Sequence, residues 1–235
     1  MFRIAIIVIS IVGLCFQAQG SSEASNESSK VAGESSKAAR ENKKAAVGVK
    51  AGNTFGGIQG TGIFAHYFLS SSLQVGGQYI AGSLDIGSDL QDQGAVSSTN
   101  SVLSGSMFAL MARYYFGNSF FLSGGLGQRL IEGNLRFEEA QTVNFLELNT
   151  ESSSTVAIIT IGNVWSWDNG FFLGAEWLGA SVPMSSGYSS KTSTNLPVAG
   201  DAEFAEIVDS AEDLAKEMGE ATAMMSLLLN IGFSF

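Results

Sequence analysis

The sequence has one cysteine, one histidine and 2 prolines among 235 residues. The cysteine, Cys15, lies in an apolar N-terminal run that we expect to be cleaved off. The mature chain would then have no disulfide, so a hydrophobic core or a hydrogen-bond ladder must hold it together. With no cysteine and a single histidine, His66, the usual ligands of a zinc site are missing as well. We expect no cofactor, no metal site and no catalytic residues.

Long apolar runs are also missing beyond the N-terminus, although 45% of the residues are hydrophobic. The hydrophobic residues occur in short alternating stretches, which is typical of membrane β-barrel strands and not of membrane-spanning helices. The 28 glycines suit tight turns and strongly curved strands. Basic residues are few, and the formal net charge of -10 disfavours a nucleic-acid partner, which requires a basic surface.

Residues 1–20 have the features of a signal peptide. A basic start precedes an apolar run over residues 4–16, which is too short to span a bilayer as a helix. Ala18 and Gly20 are small at the two positions that a signal peptidase reads, so we expect cleavage after Gly20 and export. An uncleaved anchor and a lipoprotein modified at Cys15 are the less favoured alternatives.

Residues 21–45 are rich in serine, alanine, glutamate and lysine. They cannot bury enough surface to fold alone, so we predict a flexible or loosely helical leader. Basic residues cluster near its end, at Lys37, Arg40, Lys43, Lys44 and Lys50. A solvated linker is the favoured interpretation of this cluster, and contact with anionic lipid or a periplasmic partner is the alternative.

Residues 46–235 are predicted to form eight strands and one barrel domain. The strands are Ala46–Gly52, Ile58–Phe68, Leu73–Ser83, Leu103–Phe116, Phe120–Gly133, Thr155–Ser166, Phe171–Val182 and Thr222–Phe235. Short turns at 69–72, 116–119 and 167–170 alternate with long polar segments at 85–101, 134–153 and 183–220. This alternation predicts an all-β fold, an eight-stranded antiparallel up-and-down transmembrane β-barrel with both chain ends on the periplasmic side.

The final strand has two distinct faces with a period of two residues. One face carries Phe235, Phe233, Ile231, Leu229, Leu227 and Met225. The other carries Ser234, Gly232, Asn230 and Ser226, with Leu228 and Met224. A soluble sheet and a lipid-facing barrel both produce such a pattern, and the alternation of turns and loops favours the barrel.

A short amphipathic helix is predicted over residues 201–219, in the last extracellular loop. Apolar residues recur at helical spacing from Phe204 to Met218, and acidic residues occupy the remaining face. Packing of this helix on the barrel mouth is the favoured role, and binding of a partner is the alternative.

The chain resembles the small OmpA-like outer-membrane β-barrels over residues 46–235. The resemblance rests on the signal peptide, the alternation of turns and loops, the aromatic-flanked turn YYFGNSFFLSGGLG and the last strand ending in phenylalanine. It implies location in the cell outer membrane, contact with outer-membrane lipid and recognition by the barrel-assembly machinery. The implied assembly signal is Leu227, Leu229, Ile231, Phe233 and Phe235. The sequence contains no segment that resembles the peptidoglycan-binding domain of some members.

Strand parity places several charged side chains inside the predicted barrel, because a lipid-facing Arg or Lys at mid-depth costs about 2–4 kcal/mol. The predicted luminal charge cluster is Lys50, Arg113, Arg129 and Glu176. We expect Glu176 to pair with Arg113 or Arg129. The strand over 155–166 is apolar on both faces, and Asn163 favours its odd-numbered residues as the inner ones.

The favoured function is a structural or surface-interaction role, because eight strands leave an interior just wide enough for side chains. The alternative is a narrow ion or water channel gated by the luminal charges. A lipid-modifying enzyme that uses His66 is less favoured, since no nucleophile or orienting group can be assigned to it. The acidic loops are candidates for binding divalent cations through oxygen ligands. Candidates for an aromatic girdle are Tyr67, Tyr114, Trp165, Trp167, Trp177 and Phe235.

Overall fold

The structure, a computed structural model, describes residues 36–54, 58–85, 96–98, 102–139, 145–194, 209, 213 and 216–235. These ranges contain the strands β1 (Ala45–Thr54), β2 (Ile58–Ser70), β3 (Leu73–Asp85), β4 (Val96–Ser98), β5 (Val102–Phe116), β6 (Phe120–Glu139), β7 (Phe145–Ser166), β8 (Phe171–Thr194) and β9 (Ala223–Ser234). Residues 36–41 and 216–220 are helical. Within the described ranges, neither helix nor any other is long and apolar enough to cross a membrane.

Eight strands pair as an antiparallel ring in the order β1, β2, β3, β5, β6, β7, β8 and β9, and β9 pairs back to β1. At the closure the Phe235 amide donates to the Ala45 carbonyl at 2.9 Å. The Phe235 carbonyl accepts from the amides of Ala45 at 2.9 Å and Lys44 at 2.7 Å. The predicted eight-stranded up-and-down barrel is therefore confirmed. The short strand β4 pairs with the far end of β6.

Three tight turns lie together at one end of the barrel, which we call the short-turn end, and the opposite end is the long-loop end. The turns link β2 to β3, β5 to β6 and β7 to β8. Gly117 and Gly170 have φ values of 70° and 87°, a conformation that favours glycine. At Gly170 a side chain would also collide with the carbonyl oxygen of Ser234. The turns thus account for the alternation seen in the sequence.

Three strands are longer than predicted at the long-loop end. β6 reaches Glu139, β7 begins at Phe145 and β8 runs to Thr194, so much of the predicted loops 134–153 and 183–220 is strand. These extensions are rich in serine and threonine and lack the alternation that marks a half-buried strand, although their backbones pair continuously. The predicted signal peptide, most of the leader and most of the helix over 201–219 lie outside the described residues; its described residues are helical.

The outer surface of the barrel carries an apolar belt on every ring strand. Its members include Val47, Val49, Ile63, Tyr67, Tyr79, Phe108, Leu110, Tyr114, Leu122, Leu126, Ile159, Trp165, Leu173, Trp177, Met224, Leu229, Ile231 and Phe233. Inside, one apolar layer near the short turns comprises Ala46, Phe64, Phe68, Tyr115, Phe121, Val164 and Phe172. A second layer towards the long loops comprises Ile58, Ile80, Met107, Ala109, Met111, Val156, Ile158, Met225 and Leu228.

Two adjacent β-bulges change the parity of β8 and β9. In the β8–β9 register Glu176 pairs with Leu228 and Leu178 with Ser226, which leaves Trp177 and Leu227 unpaired and facing outward. Leu227 has a φ of 46°. The assignment of Met225 to the outer face and Met224 to the inner face was therefore wrong, because the bulge exchanges them.

The inner face of β7 also differs from the prediction. The even-numbered residues Val156, Ile158, Thr160 and Val164 are buried in the lumen, and Asn163 lies on the outer side. Asn163 is accommodated there by two hydrogen bonds, from its Nδ2 to Ser119 Oγ and from Trp177 Nε1 to its Oδ1, both of 3.0 Å. A polar residue marks the inner face only if it has no partner outside.

Candidate functional site

A buried cluster of charges spans the lumen between the two apolar layers. Lys50 on β1, Arg113 on β5 and Glu176 on β8 all occupy inward positions of their strands. On β5, Arg113 lies between Tyr115 of the short-turn layer and Met111 of the long-loop layer. The alternation of each strand thus carries its charged group into the middle of the barrel.

The Oε1 atom of Glu176 is the centre of this cluster. It accepts hydrogen bonds from Lys50 Nζ and Arg113 Nη2, each at 2.9 Å, and from Asn230 Nδ2 at 3.4 Å. Lys50 Nζ also donates to Gln78 Oε1 at 2.7 Å. The three charged side chains are at most 6% exposed. Removing one partner from such a buried ion network leaves an uncompensated charge, which is strongly destabilising.

Aromatic rings cover the cationic side of the cluster. The Arg113 guanidinium carbon lies 3.9 Å from the Phe121 ring centroid, and Lys50 Nζ lies 5.8 Å from that of Phe64. A cation held over an aromatic face is attracted to the ring, and more so where water is excluded. The rings therefore stabilise the two cations from the side that Glu176 does not reach.

Arg129 lies elsewhere in the lumen and does not pair with Glu176. Its Nε donates to Ser154 Oγ at 3.1 Å and its Nη1 to Ser181 Oγ at 3.3 Å. Its Nη2 donates to the carbonyl oxygens of Met218, Gly219 and Ala221, at 3.4, 2.9 and 2.9 Å. These carbonyls end the helical segment 216–220, and the last carbonyls of a helix need external donors. Arg129 thus fastens the last long loop to the barrel interior.

His66 faces the lumen near the short-turn end and is 5% exposed. Its ring centroid lies 5.1 Å from that of Phe64, and a side chain at Gly76 would collide with it. The only histidine is therefore enclosed by the barrel wall and cannot reach a lipid on the outer surface.

The helix over residues 36–41 covers the short-turn end of the lumen, which the leader prediction did not specify. Ser36 Oγ donates to the Ser166 carbonyl at 3.4 Å and accepts from the Ser166 amide at 3.2 Å. Arg40 is 2% exposed, donates from Nε to the Ser71 carbonyl at 3.0 Å and places its guanidinium carbon 4.0 Å from the Tyr115 ring centroid. Only the burial of Ala39 and Arg40 distinguishes this segment from a solvated linker.

The outer surface of the last strand carries the residues of the predicted assembly signal. Leu227, Leu229, Ile231, Phe233 and Phe235 are each 45–65% exposed. The girdle candidates Tyr67, Tyr114, Trp165, Trp167, Trp177 and Phe235 are also on the outside. Trp177 differs from the others because it lies well along β8, in the bulge beside Glu176, rather than next to a short turn.

The long-loop end carries a polar outer face on β6 and β7. Glu147 accepts hydrogen bonds from Asn149 Nδ2 at 3.1 Å and Asn134 Nδ2 at 3.4 Å, and lies 3.9 Å from Arg136. These hydrogen bonds lower the pKa of the exposed Glu147 carboxyl below its usual value, with a smaller contribution from Arg136. Among the described residues, no three acidic, histidine or cysteine side chains are grouped to hold a metal ion.

Comparisons with known proteins reveal similarity in structure alone. No protein-family model matches the sequence, and no curated protein matches it. The crystal structure of CarO from Acinetobacter baumannii covers 83% of this chain and 99% of its own, with 12% identity and a TM-score of 0.50. A major outer membrane protein from Thermus thermophilus covers 82% and 99%, with 13% identity and a TM-score of 0.49. The likeness to CarO agrees with the barrel fold, and at this identity it transfers no activity.

Proposed function

We propose that the protein is an integral outer-membrane β-barrel with a structural or surface-interaction role. The apolar belt around a closed ring carries this proposal. On β6 the outward residues from Phe120 to Leu130 are mostly apolar over roughly 25 Å, the height of the lipid-facing band of such barrels. Beyond them the outward residues Glu132, Asn134 and Arg136 are polar. A belt of this kind exposed to water would be a severe aggregation hazard.

The filling of the lumen favours a structural role over a channel. Two apolar layers lie on either side of the charged cluster, and Met107, Ala109 and Val156 in the long-loop layer are at most 1% exposed. An ion crossing such layers would have to give up its hydration without polar replacements. The enclosure of His66 likewise removes the residue on which the lipid-modifying alternative depended.

Targeting and partners follow from the same proposal. The short-turn end faces the periplasm, the long-loop end faces the cell exterior, and cleavage near Gly20 precedes insertion. The outward residues of β9 serve as the assembly signal for the barrel-assembly machinery, as in the OmpA-like barrels that the chain resembles. Divalent cations remain proposed partners of the acidic long-loop end.

The test compares wild type with a variant lacking Phe235 and with Phe235→Tyr, which keeps an aromatic side chain. Wild type and Phe235→Tyr should enter the outer membrane and migrate as compact, heat-modifiable barrels on detergent gels, whereas the truncated form should assemble poorly. Purified wild type in planar bilayers should show no steady conductance. Extraction without detergent would contradict the membrane proposal, and a steady conductance altered by Glu176→Gln would establish the channel instead.

A further inference from the structure

The luminal charges do not balance. Lys50 and Arg113 contribute two positive charges to the cluster and Glu176 contributes one negative charge. Glu176 is the only buried acidic residue in the part of the chain that the structure describes. An uncompensated charge away from water is costly, so the cluster favours a further negative group nearby.

Two buried nitrogens beside the cluster have no hydrogen-bond partner among the described residues. They are Nε of Arg113 and Nε2 of His66, and both residues are 5% exposed. Arg113 already binds Glu176 through Nη2, so its Nε–H is a separate donor. His66 Nε2 is a second donor in the tautomer that carries its proton there.

A small enclosed cavity adjoins both nitrogens. It offers about 10 Å³ to a water-sized sphere, and its lining includes His66, Arg113, Gln74, Tyr115, Ser166 and Ser234. The Gln74 Oε1 acceptor is already used by the hydroxyl of Tyr115, at 3.0 Å. The remaining wall consists largely of the aromatic rings of the short-turn layer. This volume accommodates one water-sized particle and excludes polyatomic anions.

We propose that this cavity binds one halide ion, held by Arg113 Nε–H and His66 Nε2–H. A halide accepts both hydrogen bonds and cancels the excess positive charge of the cluster. A water molecule of the same size satisfies the donors and leaves the charge uncompensated. The proposal does not depend on a channel, because the ion is a fixed part of the folded interior.

The test uses the full-length protein refolded from urea into detergent without halide. Its thermal midpoint is compared in sodium gluconate, chloride and bromide at equal ionic strength, since gluconate is too large for the cavity. Chloride and bromide should raise the midpoint of wild type by about 3–6 °C, because a ligand that binds only the folded state stabilises it. His66→Phe should lose this rise, and Ser123→Ala, a buried luminal change outside the cavity, should keep it.

Crystals grown with bromide provide a second measurement that needs no variant. Anomalous scattering should place bromide between Arg113 and His66. Equal midpoints in the three salts, a rise that persists in His66→Phe, or the absence of an anomalous peak would each overturn the proposal and leave a water molecule as the occupant. If His66→Phe fails to fold, the salt series and the bromide crystals decide.

Discussion

The indole Nε1 of Trp177 donates a hydrogen bond of 3.0 Å to Oδ1 of Asn163 on the outer surface of the barrel. The Asn163 amide group donates in turn to Ser119 Oγ at 3.0 Å. In lipid no water replaces a missing partner, so these bonds let two polar groups lie within an apolar belt. The bulge at Trp177 supports this contact by turning the indole outward beside β7.

Trp177→Phe should destabilise the barrel by about 1–3 kcal/mol, because it leaves the Oδ1 of Asn163 without its donor. The double variant Asn163→Leu/Trp177→Phe should recover most of this loss, since it removes both polar partners. Urea unfolding in lipid vesicles, followed by gel mobility, measures both effects and the coupling between the sites. If the two substitutions are simply additive, the hydrogen bond contributes nothing specific.

The sequence predicted the ring and its inner charges wherever strand alternation was uninterrupted. Lys50, Arg113 and Glu176 follow the period of their strands and lie inside. Asn163 and Met225 were misassigned for a local reason in each case: the first has partners on the outside, and the second follows the Leu227 bulge. A bulge changes parity without changing composition, so alternation alone cannot detect it.

Partners were harder to predict than faces. Arg129 is inward, as its parity indicated, yet its position along β6 brings it to the carbonyls of residues 218–221 rather than to Glu176. Height in a barrel depends on the stagger between strands, which loop lengths do not reveal. The anchoring of Arg40 against Ser71 and Tyr115 is likewise a tertiary effect that a polar, lysine-rich segment conceals.

Glu176→Ala should lower stability by about 3–5 kcal/mol, because it leaves two buried cations facing each other. Glu176→Gln should fall between this variant and wild type, since it keeps hydrogen-bonding capacity without the charge. The measurement is the thermal or urea midpoint in detergent. Glu151→Ala, which removes an exposed acidic residue, is the matched control and should change little. A wild-type midpoint in Glu176→Ala would show that the three groups do not form a stabilising network.

Arg129→Ala should release the end of the last long loop while the ring stays closed. Hydrogen bonds from a charged group contribute about 1.5–3 kcal/mol, so cleavage that requires this end to open should accelerate about tenfold or more. Limited proteolysis of vesicle-embedded protein at Glu217 and Glu220 provides the readout. Lys191→Ala, on the outer face of β8, should leave the cleavage rate at the wild-type value. Equal rates in Arg129→Ala and wild type would mean that other contacts hold this loop.

Arg40→Ala should detach the helix over residues 36–41 from the short-turn end. The guanidinium contributes a hydrogen bond to Ser71 and a contact with the Tyr115 ring, so the thermal midpoint should fall by several degrees, corresponding to about 1–3 kcal/mol. Lys37→Ala changes an exposed residue of the same helix and serves as the control. Hydrogen exchange at residues 36–44 separates detachment from general loss of stability. In Arg40→Ala these amides should exchange faster while those of β1 remain protected, because the ring closes through Ala45 and Phe235 without the helix. Faster exchange throughout β1 and β9 would instead make the helix part of the closure itself.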